Sequence, residues 1–400
     1  MTDSDVTVPP VFDFDTLLRP EFSRSPQPYY KHMRDTNPVL RTSIGQELLF
    51  VAKYDDIDHV LHDSEVYSCR YGANVDTRPM IPINIDPPDH AKWRKLLDPL
   101  FSPREMAKLE EKITRRVNDL IDGFIARGEC DYAAEFAVPL PCEIFMDLLG
   151  LPLDETDEFL ELKEKILRGG GGAMMMEQDD VRTEALAKLF ARFERLIEDR
   201  RRDPQDDVLT RMIHGEVEGR PLTQDELLGI CQLMFIAGLD TVTDSLTCFY
   251  AFLGRNPEYR QRLAAEPDII PRAIEEMLRY ESPVPFVPRI AAKESELSGC
   301  PVKPGDMVLA LLGSANTDEH QLADANVVDF DRAAVRHYAF GGGVHRCLGS
   351  HLARLELRVA LTEWHRRIPE YHIPEDVELQ FATMLRQVEH VPLVFDKVVG

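Results

Sequence analysis

The run Phe340-Gly341-Gly342-Gly343-Val344-His345-Arg346-Cys347-Leu348-Gly349 puts one thiol at the end of a glycine-rich loop. Glycine lets the backbone turn tightly and keeps side chains clear of a flat partner lying against it. Residues Leu348 to Leu361 continue with helical apolar spacing. Cys347 therefore stands at a predicted helix N-terminus, where N–H dipoles favour thiolate over thiol. A thiolate below a planar, glycine-lined shelf suits a haem iron and pushes electron density towards oxygen cleavage. Other chemistry fits the same residues. A lone cysteine is more commonly a buried apolar side chain. A zinc site built from His345, Cys347 and His351 lacks a fourth ligand and any C-x-x-C pair. A Cys–His nucleophile needs His345 and Cys347 to face each other, which neighbouring loop positions do not ensure.

Three further groups carry chemistry. In Ala237-Gly238-Leu239-Asp240-Thr241 an acid and an alcohol sit in an otherwise apolar stretch flanked by Met234, Phe235, Ile236 and Val242. A glycine inside a helix costs about 1 kcal/mol relative to alanine, so it calls for a reason. The threonine hydroxyl can bond back to a carbonyl one turn earlier and loosen the ladder. These residues predict a break in the helix, opening a groove for a small ligand and a water; a plain kink is the alternative. Glu276-Met277-Leu278-Arg279 sets two opposite charges side by side on a helix, ordinarily a surface pair of little worth. Asp86-Pro87-Pro88-Asp89-His90-Ala91-Lys92-Trp93-Arg94 places His90 and Arg94 on one helical face, able to meet an anion or simply water.

Taken together, F-G-x-G-x-H-x-C-x-G, A-G-x-D-T, E-x-x-R and D-P-P-x-H-x-x-x-R resemble the motifs of the cytochrome P450 family, from about Asp86 to the C-terminus. The helix motif is most similar to the subgroup that includes the bacterial camphor hydroxylase. The resemblance implies a mainly α fold with minor β, a single large domain over residues 1–400 around one haem b (iron protoporphyrin IX). Cys347 becomes the metal ligand, with Phe340, Gly349, Ala237 and Gly238 against the haem. His90, Arg94, Arg289 and His345 ring its propionates, and His345 is not a metal ligand. Thr241 steadies dioxygen and a water while Asp240 links that site to solvent protons; a direct peroxide user would not need this pair. Glu276, Arg279 and Arg332 form a structural network behind the cysteine loop. Thr317 and Glu319 stand where relatives often carry Arg and Pro.

The implied activity is monooxygenation, hydroxylating or epoxidising a small lipophilic substrate. Terpenoids are favoured, with fatty acids or steroids as alternatives. Met80, Ile81, Met234, Val284, Val287, Met384 and Leu385 are the candidate pocket, and Arg78 is the one nearby charge that could meet a substrate carboxylate. The chain has no flavin or nicotinamide fingerprint, so two electrons must come from a ferredoxin and its NAD(P)H-dependent reductase. Lys92, Lys95 and Arg346 are the candidate contacts for that acidic partner. The rival reading is a haem-thiolate binding or sensing protein without turnover, which would have no use for the Asp240–Thr241 pair.

These residues must be positioned mostly by helices. Arg104 to Arg127 carries one apolar stripe, and Asp154 to Leu167 and Asp180 to Arg202 read as two more helices, joined by the glycine- and methionine-rich residues 169–176, the expected lid loop. Thr223-Gln224-Asp225-Glu226 has the form of a capping box opening a helix to about Leu253. Strands are predicted at Glu47 to Ala52, Met307 to Leu311, and a pair near Val377 to Phe381 and Val391 to Phe395. Lys303-Pro304-Gly305-Asp306 is a hairpin signal before Met307.

With 44% hydrophobic residues, the 400-residue chain has material for one large core. A net charge of −24 argues against nucleic acid or an anionic membrane as a general partner. The first ten residues lack a signal-peptide pattern, no stretch of about twenty apolar residues suggests a membrane span, and seven scattered cysteines suggest reduced thiols in the cytoplasm.

Overall fold

The computed structural model describes Thr16 and residues 19–43, 47–70, 78–168, 180–382 and 385–397. The helices that frame the site are α1 (Tyr54–His62), α2 (Asp89–Leu97), α3 (Glu110–Phe124), α4 (Thr156–Arg168), α5 (Asp180–Arg202), α6 (Gln224–Arg255), α7 (Ile270–Glu281) and α8 (Ser350–Arg367). The strands of the two sheets are β1 (Val39–Ser43), β2 (Glu47–Val51), β3 (Tyr67–Ser68), β4 (Glu129–Asp131), β5 (Val287–Ala291), β6 (Met307–Ala310), β7 (Tyr371–His372) and β8 (Pro392–Phe395).

Helix α6 is the axis of the larger core. Thr223 opens it as a complete capping box: its hydroxyl accepts the Glu226 N–H at 3.2 Å, and the Glu226 carboxylate accepts the Thr223 N–H at 2.8 Å. That arrangement satisfies two of the N–H groups a helix start leaves over, and a cap of this kind contributes about 1 kcal/mol. Leu227, Phe235, Leu239, Leu246 and Phe249 bury α6 among the other helices. Helix α6 is long and apolar enough to cross a membrane by composition, contrary to the sequence expectation, but 61% of its apolar window is buried inside the fold. It is the core helix. The expected break at Gly238 is also missing, since α6 runs unbroken through it. The threonine effect is confined to one bond, from Thr241 Oγ1 to the Ala237 carbonyl at 3.1 Å.

The stripe on α3 is buried at Ile113, Val117, Ile121 and Phe124. The predicted single helix from Arg104 is divided, with a short helix at Pro103–Ala107 before α3 and a 3₁₀ turn at Ile125–Arg127 after it. A smaller core lies under a sheet of order β1-β2-β6-β5-β3, in which only β2 and β6 are parallel. The near-continuous apolar run Leu48 to Val51 is what a central strand buried on both faces requires. Register places Arg289 of β5 opposite Val308 of β6, which carries the arginine inwards from a short strand.

The hairpin signal at residues 303–306 does form a turn, with Gly305 at φ +93°. It joins β6 to the short strand Cys300–Val302, which pairs with Ser295–Leu297 rather than with β6. The predicted pairing of Val377–Phe381 with Val391–Phe395 does not form. Strand β8 is sandwiched between β7 and β4, so both its edges are taken. Residues near 381 keep a single bridge from Phe381 to Val388. Residues 169–176, the expected lid loop, lie outside the described residues. All seven cysteines are free.

Candidate active site

Cys347 lies three residues before α8, on a turn whose geometry needs glycine. Gly341 and Gly343 have φ of +65° and +63°. A Cβ on Gly343 would stand 2.2 Å from the Leu61 carbonyl oxygen, so the loop is pressed onto the C-terminal end of α1. The Cys347 N–H donates to the Phe340 carbonyl at 2.9 Å and closes the turn. Cys347 is exposed, and nothing lies within 4 Å of a Cβ built on Gly349. Burial on the loop side holds the Cys347 thiol above its ordinary range, opposed by the Gly349 N–H and by Arg94, Arg346 and Arg354. A metal cation bound at this thiol would favour the thiolate by displacing the proton.

On α6, Ala237 and Gly238 are exposed although their neighbours Phe235, Leu239 and Asp240 are buried. A mid-helix window of small residues in an otherwise buried helix leaves room for a flat group. Gly238 is not forced by packing, because a Cβ there would meet Phe145 at an ordinary 3.4 Å. Thr241 is half-buried beside this window.

His90, His345 and Arg289 converge, and among the described residues none of the three has a carboxylate bonded to it. The two imidazole rings lie 4.2 Å apart, and each Nε2 is buried without a hydrogen-bond partner among the described residues. Arg289 is 6% exposed, and among the described residues its side chain bonds only the adjacent Pro288 carbonyl, at 2.8 Å. Arg94 pairs with Asp98 at 2.7 Å and donates to the Arg346 carbonyl at 2.8 Å, tying α2 to the cysteine loop. Burial lowers His345 to about 3, helped by the like charges of His90, Arg289 and Arg94. His90 is lowered by burial and then by Arg94. Asp86 comes within 4.8 Å of His345 but already accepts the Cys69 N–H at 2.8 Å and the Ser68 hydroxyl at 2.6 Å. Buried polar nitrogens without a partner, beside a buried arginine, call for an acceptor, and the two carboxylates of a haem would supply it. The residues present fit haem.

Asp240 is 4% exposed and accepts a hydrogen bond from Lys163 Nζ of α4 at 2.6 Å. Burial alone would lower the Lys163 ammonium; the Asp240 charge and hydrogen bond outweigh it, and Lys163 is raised. Sequence reasoning linked Asp240 to solvent and missed this partner. The readable signal was a lysine on the same helical face as Phe159, Leu162 and Ile166, all buried.

Behind the loop, Arg279 forks onto Glu276 with bonds of 2.8 and 2.7 Å, and Arg332 reaches the same carboxylate at 3.1 Å. Arg279 also donates to the carbonyls of Asn316 and Ala325, and the Asp329 N–H donates to Glu276 at 2.9 Å. Glu276→Gln would leave two guanidinium groups short of a buried counter-charge. It is expected to cost about 3–5 kcal/mol, read from urea unfolding; a loss below about 1 kcal/mol would place the network among weak surface pairs. Glu319, the departure from the family pattern, pairs with the buried Arg34.

The predicted pocket residues are divided between the two cores. Ile81 is buried and Met234 half-buried in the helical core, whereas Val284 and Val287 pack on the sheet side. Met80 and Leu385 are half-buried, and Met384 lies outside the described residues. Arg78 is engaged with Asp225 at 2.9 Å and stacks over Phe190 of α5 at 4.4 Å, so it is tied to the helices rather than offered to a carboxylate. Phe340 is covered by the Arg354 guanidinium, 4.2 Å from its ring centre. Lys92 is taken by Asp89 and Glu218, whereas Lys95 and Arg346 are exposed and form no ion pair among the described residues.

Residues 165–367 match the family model described as Cytochrome P450. The steroid C26-monooxygenase of Mycolicibacterium smegmatis is 32% identical over 374 residues, covering 92% of this chain and 92% of that protein. The cytochrome P450 PksS of the bacillaene polyketide synthase of Bacillus subtilis superposes with a TM-score of 0.88 at 27% identity, over 97% of this chain and 100% of that one. CYP109E1 from Bacillus megaterium, solved in complex with testosterone, gives a TM-score of 0.85 at 31% identity, over 95% and 100% of the two chains. The shared fold is a mainly helical single domain. On this evidence the chain belongs to the cytochrome P450 family, is a haem-thiolate monooxygenase, and takes haem as its cofactor.

Proposed function

We propose that Cys347 is the axial thiolate, that His90, Arg94, Arg289 and His345 hold the propionates, and that the substrate is a lipophilic ring compound. Haem bound by a thiolate supplies the activation of dioxygen and the electron-rich ligand that favours its cleavage. The chain's own residues do the rest. His90 and His345 present unpartnered Nε2 atoms to the anionic edge, and Arg289 adds a buried positive charge. Ala237 and Gly238 keep side chains out of the distal face. The Thr241 hydroxyl donates to the Ala237 carbonyl and keeps its lone pairs free to accept a hydrogen bond from a water. Asp240 holds a carboxylate one residue away, and a proton reaches it from solvent when Lys163 swings off. The observation that carries this reading is the pair of buried, unpartnered imidazole Nε2 atoms of His90 and His345 beside the buried Arg289.

We place terpenoid-like substrates first, for the apolar pocket candidates, and the likeness of the A-G-x-D-T motif to the camphor hydroxylase subgroup supports that choice. Steroids form the second reading, favoured by the names of two relatives. Electrons come from a ferredoxin and its NAD(P)H-dependent reductase, docking an acidic face against Lys95 and Arg346, and the protein works in the cytoplasm with its thiols reduced. Titrating the ferric protein with a terpenoid and a steroid panel and recording the high-spin shift of the Soret band tests the substrate class. Micromolar shifts with monocyclic or bicyclic terpenoids are expected. Shifts with steroids alone would move the assignment to the second reading, and fatty acids alone would exclude both.

A further inference from the structure

The cysteine loop is held from outside by α1, through a histidine that neither the motifs nor the family relationship bring forward. We propose that His62 is a positioning residue for the thiolate loop: its Nε2 accepts the Gly343 N–H and holds the turn that leads into Cys347. The proposal rests on the reading of Cys347 as the haem ligand.

The hydrogen bonds determine which ring nitrogen carries the proton. The Gly343 N–H points at His62 Nε2 from 3.2 Å, and the Arg336 guanidinium lies 2.8 Å from the same nitrogen. Both neighbours are donors, so Nε2 must be the bare acceptor. The proton is then on Nδ1, which donates to the Asp58 carbonyl at 2.7 Å, within α1. The ring is thus fixed at both ends. The contact is close along the backbone as well, because Gly343 lies against the Leu61 carbonyl with no room for a Cβ.

Gly343 passes this placement on. Its carbonyl accepts the N–H of Arg346, the residue before Cys347, at 3.3 Å, and Gly343 to His345 form a 3₁₀ turn. A second tie runs in parallel from the same helix. The Asp58 carboxylate accepts the Tyr338 hydroxyl, the Tyr338 carbonyl accepts the Gly341 N–H at 2.8 Å, and the Phe340 carbonyl accepts the Cys347 N–H at 2.9 Å. Asp58 and His62 therefore hold both arms of the loop, one through a side chain and the other through a ring nitrogen. Groups of this kind orient a metal ligand without touching the metal.

His62 is 37% exposed in its side chain, so it can be replaced without opening the core. His62→Leu removes the acceptor, whereas His62→Gln offers an amide oxygen in its place. The haem-loaded protein, reduced under carbon monoxide, is followed as the red-shifted thiolate band converts to the unshifted one on warming. Reduction potential and global melting are measured on the same samples. His62→Leu should convert on the order of tenfold faster, with a displaced potential and nearly unchanged melting, and His62→Gln should restore most of the lifetime. Equal lifetimes and potentials in all three proteins would overturn the proposal. So would a Gln variant as impaired as Leu, or a lifetime that merely follows the melting temperature. Cys347→Ser is run alongside: a retained red-shifted band there would sink the ligand reading and this inference with it, whereas its loss leaves the His62 comparison to decide.

Discussion

Replacing Cys347 with serine is expected to remove the red-shifted Soret band of the reduced carbon monoxide complex and to reduce monooxygenase turnover to background. Serine matches cysteine in size, and Cys347 is exposed on its open side, so the fold should survive and far-ultraviolet circular dichroism should not change. Retention of haem is a separate matter, because His90, His345, Arg94 and Arg289 are independent of the thiol. Haem bound without the shifted band is therefore the expected spectrum, and it distinguishes loss of the ligand from loss of the site. A serine variant that still shows the shifted band would require another thiol. Cys69 is the only other cysteine found beside the basic cluster among the described residues, and burial holds its thiol up at about 11.

Asp240→Asn is the second large effect. Positioned acid–base groups contribute about 10²–10⁴ in rate, so turnover should fall by about 100-fold while substrate-induced spectral shifts stay the same. The substitution also strips Lys163 of the partner 2.6 Å away, leaving Glu164 at 3.3 Å as its remaining acid. Breaking one side of a buried pair costs about 3–5 kcal/mol, so the single variant confounds chemistry with stability. Lys163→Met combined with Asp240→Asn separates them. With both charges gone the burial penalty disappears, and the double variant should recover most of the unfolding free energy. Turnover should stay low. If turnover recovers with stability, Asp240 is a structural anchor for α4 and another group handles the proton. If Asp240→Asn alone turns over normally, the acid has no part in proton handling.

The same pair shows how α4 is fastened. A helix that carries Phe159, Leu162 and Ile166 inward is already seated by apolar burial. Adding a buried ion pair at its centre makes the seat specific to one register, since Lys163 must meet Asp240 or pay for an unpaired charge. Movement of α4 and the pairing of Asp240 are therefore coupled through one hydrogen bond.

Much of this arrangement was legible from residue order. The capping box at Thr223 and Glu226 is a local device, so reading four residues was enough. The helix from Asp180 to Arg202 was readable because its apolar period and ends are local too. The pairing of Glu276 with Arg279 follows from one helical turn, and Arg332 joins them as the resemblance implied. Where the reading departed from the structure, competition between distant segments decided. Val377–Phe381 has strand-like residues, but β8 had already found partners in β4 and β7. Gly238 suggested a break, but the tertiary packing on both sides keeps α6 continuous. Lys92 looked free in the sequence and is neutralised by Asp89 and by Glu218, 126 positions away.

By itself, the sequence determined the thiol in its glycine loop, the acid–alcohol pair on the long helix, the basic residues for an anion, and the charge and composition that suit one large core. These are matters of residue type and short-range spacing, which the chain carries before it folds. Only the tertiary structure decided that three basic groups would converge with their ring nitrogens and guanidinium unbonded to any described carboxylate, that Lys163 would bury itself against Asp240, and that His62 would stand behind Gly343. The partners in each of these contacts lie 55 or more positions apart in the chain. No local period encodes such distances; burial raises the energy of an unmatched charge or N–H until a distant partner is brought to it.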